Sequence, residues 1–165
     1  MLTFTQPGGF PMNGIKSNRT LMVVCATVLL CLTFANAAWT GDSAAHKVAI
    51  HVDDNDPKRM NMALNNIKNL RKYYDSVGEQ VHIELVAYGP GLHMLRADTS
   101  PVADRISAMS LEIENLTFSA CGNTHAAMSK KAGEDVKLLD EANIVSSGVV
   151  QLIALQEKGY AYIRP

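Results

Sequence analysis

The stretch His46-Lys-Val-Ala-Ile-His-Val-Asp-Asp-Asn-Asp-Pro-Lys-Arg-Met60 sets the class of fold. Its first seven residues alternate, with Val48, Ile50 and Val52 on one side, the period of a strand. Three acids then precede Pro57, and side-chain oxygens followed by proline mark a helix start. Beyond it Met60, Ala63, Leu64, Ile67, Leu70 and Tyr74 fall three and four apart, one apolar stripe of a helix from about Pro57 to Ser76. Gly78 stops it. Strand, tight cap and long helix in that order are the first half of a βαβ unit.

The same alternation continues downstream. Gln80–Tyr88 (QVHIELVAY) predicts a second strand, broken by Gly89-Pro90-Gly91. A short turn or helix at Leu92–Ala97 leads to Thr99-Ser100-Pro101. The next helix carries Val102, Ile106, Met109 and Ile113. Leu116–Ala120 predicts a third strand. A third helix begins near Asn123 or Thr124 and ends around Gly133. Ala142–Val145 offers a fourth strand. Ser146 or Ser147 caps a helix whose Val149, Val150, Leu152, Ile153 and Leu155 make it apolar nearly all round, which predicts burial. Tyr160–Ile163 is a last strand. The expectation is an α/β fold: one three-layer domain with a mainly parallel sheet of about five strands, helices covering both faces, and right-handed crossovers.

The N-terminus reads differently. Lys16 and Arg19, the apolar run Leu21–Phe34 and the Ala35-Asn36-Ala37 pattern have the layout of a secretion signal cut before Ala38. The run is short of the ~20 residues of a membrane span, so no stable membrane anchor is expected. The predicted organisation is a signal over 1–37, a flexible leader over 38–45 and one domain over 46–165, with the mature protein periplasmic or secreted. Of the 15 basic residues, Lys16 and Arg19 lie in the signal, leaving 13 against 16 acidic residues and a formal net charge of −3. That balance argues against nucleic acid as a partner.

Signal removal also takes Cys25 and Cys31, leaving Cys121 as the one thiol of the mature chain. A leftover thiol in an oxidising compartment points to reactivity or intermolecular pairing. Cys121 ends a predicted strand and precedes a predicted helix. Sites in an open parallel sheet gather at the carboxyl ends of the strands, and a helix N-terminus there favours a thiolate. The competing reading is a small apolar filler. His125, four residues on, lies one helical turn away and is a candidate partner in proton transfer; a first-turn surface histidine is the alternative. His93 lies in the loop after strand two, which puts it near the same crevice or leaves it a plain loop residue. Cys121 and His125 lack a third clustered ligand, so no metal is expected, and no cofactor. Asp53, Asp54 and Asp56 read as caps. Gly89-Pro90-Gly91-Leu92-His93-Met94 lacks the third glycine and one amide of a dinucleotide loop, and Ser147 lacks a G-x-S-x-G frame.

Four stretches together resemble the DsrE/DsrF-like sulfur-relay family: HKVAIHVDD, VAYGPGLHML, FSACGNT and the tail SSGVVQLIALQEKGYAYIRP. The resemblance spans about residues 46–165. It implies a compact α/β domain that assembles as a homotrimer or homohexamer, and a cysteine that accepts sulfane sulfur as a persulfide and passes it to a partner. By position that role falls to Cys121; His125 is outside the family pattern. A sulfur donor or acceptor protein is an expected partner, but the secretion signal departs from cytoplasmic relay members, so the identity of neither is inherited from the family. The expectation is a persulfide carrier or transfer protein. The alternative is a non-catalytic oligomeric scaffold with an inert cysteine, and a redox-sensing disulfide is a third possibility.

Overall fold

The computed structural model describes Thr3 and residues 45–165. Apart from Thr3 the predicted signal segment, and all but the last residue of the predicted leader, lie outside the described residues. Among the described residues five strands and four α-helices alternate: β1 (His46–Val52), α1 (Pro57–Val77), β2 (Val81–Ala87), a 3-10 segment (Gly89–Leu95), α2 (Ala103–Glu112), β3 (Leu116–Cys121), α3 (Gly122–Ala132), β4 (Ala142–Val145), α4 (Gly148–Glu157) and β5 (Ala161–Ile163).

Local chemistry sets the element ends. Asp56 caps α1, its carboxylate accepting from the Lys58 N–H at 2.9 Å, with Pro57 in the first turn. Gly78 closes the helix in the left-handed region at φ 72°. The other two acids of the run do different work: Asp54 pairs with Arg59 at 3.0 Å and Asp53 with Arg164 at 2.7 Å.

All strand pairs are parallel, in the order β4-β3-β2-β1-β5. The chain steps outward from β1 to β4, then returns across the sheet to place β5 beside β1. With a constant crossover hand, that reversal moves the connecting helix to the opposite face. The cores show it. Val48, Ile50 and Val52 of β1, Ile83 and Leu85 of β2 and Phe118 of β3 pack with α1, the 3-10 segment and α2 in the main core. On the other face Ala49 and Val86 meet only Leu152 and Leu155 of α4, flanked by Tyr88 and Tyr160.

Helices cover both faces as expected, but unevenly: among the described residues one face carries several helical segments and the other α4 alone. The predicted burial of α4 is corrected. Leu152 and Leu155 are buried, but Val149, Val150 and Ile153 are about half exposed. A single helix crossing a sheet has nothing beyond it to cover its outer side. Polar groups fill part of the same face: Glu84 accepts hydrogen bonds from the Ser119 hydroxyl at 2.6 Å and the Gln151 amide at 2.7 Å. Among the described residues no helix is long and apolar enough to cross a membrane.

Candidate functional site

Cys121 is the last residue of β3 and the N-cap of α3, with φ −65° and ψ 114°. Cys121 follows Phe118 and Ala120, which point into the main core, so alternation turns its side chain to the face that carries α4. There α4 begins beside it. The thiol sits between two helix N-termini, each a cluster of backbone N–H groups with no partner inside its helix.

Glycines permit this approach. A Cβ on Gly148, the first residue of α4, would lie 2.9 Å from both Cβ and Cδ1 of Tyr88 and 3.2 Å from Cβ of Cys121. A Cβ on Gly122 would lie 2.9 Å from the Val145 carbonyl oxygen. Hydrogen at these positions lets the start of α4 and the end of β4 close on Cys121.

Burial, the largest single influence, pushes the Cys121 thiol up; Cys121 is only 5% exposed. The groups facing the sulfur outweigh burial and bring the thiol below its ordinary value of about 9: the Thr124 hydroxyl, then the backbone N–H groups of Gly148, Thr124 and Asn123. The Thr124 oxygen accepts the Gly89 N–H at 2.9 Å, so its own proton is free for the sulfur. The loop after β2 thereby orients the side chain that supports the thiolate.

The predicted companion His125 is not brought to Cys121. Its Nε2 bonds the Val136 carbonyl oxygen at 2.7 Å and lies 3.7 Å from Asp135, tying α3 to the segment before β4. No hydrogen bond joins the two residues. His93 is also engaged elsewhere, with Asn55 through Nδ1 and with Thr99 through Nε2 at 2.9 Å. Ser147 is the N-cap residue of α4 and makes no side-chain capping bond. Among the described residues no group of three or more His, Cys, Asp or Glu side chains is placed to hold a metal ion.

A second cluster adjoins the thiol and carries no signal in local sequence. His51 of β1 stacks on Tyr88, ring centroids 4.6 Å apart at 20°. Its Nδ1 meets the Tyr162 hydroxyl at 2.6 Å, and its Nε2 lies 3.8 Å from Asp53. Arg164 clamps Asp53 with contacts of 2.7, 2.9 and 3.1 Å. Burial holds the His51 imidazole below its ordinary value, against the pull of Asp53. Burial, then Asp53, Tyr162 and Cys121, push the Tyr88 phenol up. Alternation with Val48, Ile50 and Val52 turns His51 to the opposite face, but nothing local to it names Tyr88, Tyr162 or Asp53 as its neighbours.

The DsrE/DsrF-like family profile matches residues 44–165. Among solved structures, a protein of unknown function, MTH1491, from Methanobacterium thermoautotrophicum is similar at 36% sequence identity and a TM-score of 0.63. The match covers 73% of this chain and 99% of that one. No curated protein matches. A five-stranded parallel sheet with this helix arrangement, matched over almost the whole described region, assigns the chain: it belongs to the DsrE/DsrF-like family.

Proposed function

We propose that this protein carries sulfane sulfur on Cys121, as a persulfide, outside the cytoplasm after removal of residues 1–37. Membership of the family supports a sulfur-relay role in general. The observation that carries the finer reading is the set of N–H groups of Asn123, Thr124 and Gly148, with the Thr124 hydroxyl, facing one sulfur. That arrangement favours the thiolate, the form that attacks sulfur. Loading is a simple displacement. The Cys121 thiolate attacks the outer sulfur of thiosulfate, the S–S bond breaks, and sulfite leaves with its electron pair. Release is the reverse kind of step: an acceptor thiolate takes the outer sulfur, and Cys121 departs as a thiolate held by the same N–H groups. No metal or external oxidant enters either step.

Intact mass after incubation with thiosulfate or polysulfide tests the reading. The expected result is a gain of whole sulfur atoms in the wild type, removed by reductant and absent in Cys121→Ser. No gain, or an equal gain in the serine variant, would overturn it. The second reading, a scaffold with an inert cysteine, rests on the 5% exposure of Cys121. A thiol protected from alkylation until the protein unfolds would favour it.

The reading extends to self-assembly, as a homotrimer or homohexamer. Val149, Val150 and Ile153 stand exposed on α4, the one helix of the lightly covered face among the described residues, with Ile144 of β4 also exposed. Apolar side chains in such a group mark contact surfaces more often than open ones. Sedimentation velocity should show an oligomer that Val150→Asp shifts toward monomer. A monomeric wild type would remove this part of the proposal.

A further inference from the structure

We propose that Glu84 is a positioning residue for the sulfur chemistry of Cys121: through Gln151 it ties the first turn of α4 to the sheet, and so keeps the Gly148 N–H against the thiol. The inference rests on the sulfur-carrier reading above and adds how the second helix N-terminus of the site is held in place.

A carboxylate is an unusual choice at this position. Glu84 stands in register with Ala49 of β1, so it shares the face of the sheet that α4 crosses. It is half-buried on β2, the central strand. Among the described residues no lysine, arginine or histidine pairs with it. A charge partly withdrawn from water without a counter-ion has to be held by hydrogen bonds. Two are made, both to Oε1: the Ser119 hydroxyl donates at 2.6 Å and the Gln151 amide at 2.7 Å. The donors come from the two elements that build the thiol site. Ser119 lies two residues before Cys121 on β3, on the same face. Gln151 lies one turn after Gly148 on α4.

Ser119 is 1% exposed and fixed by the β2–β3 ladder, so its hydroxyl sets the direction of the carboxylate. The first turn of α4 is the part that needs holding. The buried anchors of the helix, Leu152 and Leu155, come after it, while Val149 and Val150 are about half exposed. The usual supports of a helix start are missing too: Ser147 makes no side-chain capping bond, and the first turn holds no acid. Glu84 supplies a negative charge from the sheet instead, on the side where the helix dipole favours it. The first N–H groups are left free, and that of Gly148 faces the Cys121 sulfur. The fit is close, since a Cβ on Gly148 would lie 3.2 Å from Cβ of Cys121. Hydrogen bonds weaken steeply with distance and angle, so a small retreat of the turn withdraws this donor.

The test follows iodoacetamide alkylation of Cys121 from about pH 6 to about pH 10 in the full protein. Gln151→Met keeps the length and helix preference of the side chain but cannot donate. It is expected to move the profile to higher pH and to slow alkylation at neutral pH by about tenfold, the scale of one hydrogen bond lost from the sulfur. Glu84→Leu should do the same. Removing a negative charge by itself favours a thiolate, so an upward shift in that variant reports displacement and not charge. Glu84→Gln keeps an acceptor oxygen and should show no upward shift. Gln151→Met and Gly148→Ala act through one N–H, so the two together should react like Gly148→Ala alone. A Gln151→Met profile that coincides with wild type overturns the assignment, even where a denaturant titration shows lost stability. A double variant slowed by the product of the two single effects overturns it as well. Gln151→Met decides the matter if Glu84→Leu does not fold. Sulfur uptake from thiosulfate, read by intact mass on the same samples, judges the carrier reading separately: a wild type that takes none overturns that reading, and the alkylation profiles still judge Glu84. A thiol that iodoacetamide reaches only on unfolding overturns both.

Discussion

Gly148→Ala is expected to slow alkylation of Cys121 at neutral pH by about tenfold, the scale of one lost hydrogen bond to a charged sulfur. The new Cβ would sit 2.9 Å from Tyr88 Cβ and Cδ1 and 3.2 Å from Cys121 Cβ. Contacts under 3.0 Å do not persist, so the start of α4 must retreat or the Tyr88 ring must turn. Retreat takes the Gly148 N–H from the sulfur and leaves Thr124 and Asn123 to offset burial. The thiolate is then less favoured, and the alkylation profile moves to higher pH. The cost to the fold should be smaller, roughly 1–2 kcal/mol, because α4 keeps Leu152 and Leu155 in place. Rates of iodoacetamide reaction across pH, beside a denaturant titration, separate the two effects. An unchanged profile would mean that the α4 terminus does not tune the thiol.

Gly91→Ala carries the larger expected effect on stability, roughly 2–4 kcal/mol. Here the added Cβ meets backbone: the Val52 carbonyl oxygen at 2.3 Å, its carbon at 2.6 Å and Asp53 Cα at 2.8 Å. No side chain can rotate away. The 3-10 segment would have to lift off the end of β1, breaking the Gly91 N–H bond to the Asp53 carbonyl at 3.0 Å. Leu92, Met94 and Leu95 of that segment are fully buried, so the main core would open with it. The thiol would feel the shift too, because the nearby Gly89 N–H holds the Thr124 oxygen. Calorimetry should show the unfolding midpoint falling by about 10 °C or more. A loss below about 1 kcal/mol would show that the segment yields without disturbing β1.

Both predictions depend on glycines whose roles differ in legibility. Gly78 announces a helix end from its place after an apolar stripe, and its φ of 72° agrees. Gly91 and Gly148 sit in loops and starts that look ordinary along the chain. What they allow is a close approach of segments far apart in sequence, Val52 to Gly91 and Tyr88 to Gly148.

The sequence by itself determined the order of strands and helices, the Asp56–Pro57 start of α1 and the seat of Cys121 at a strand end before a helix. These are local matters, decided by periodicity, capping and backbone restriction over a few residues. Only the tertiary structure decided who surrounds the thiol. His125 looked close at four residues, yet it bonds Val136 instead. His51 and Tyr162, 111 residues apart, meet at 2.6 Å because β5 returns across the sheet to pair with β1. The same return carries α4 alone onto the second face, which leaves its outer side open despite its apolar sequence. The physical reason is the direction of the last crossover: a strand order that reverses moves its helix to the opposite face, and pattern within a single segment does not encode that reversal.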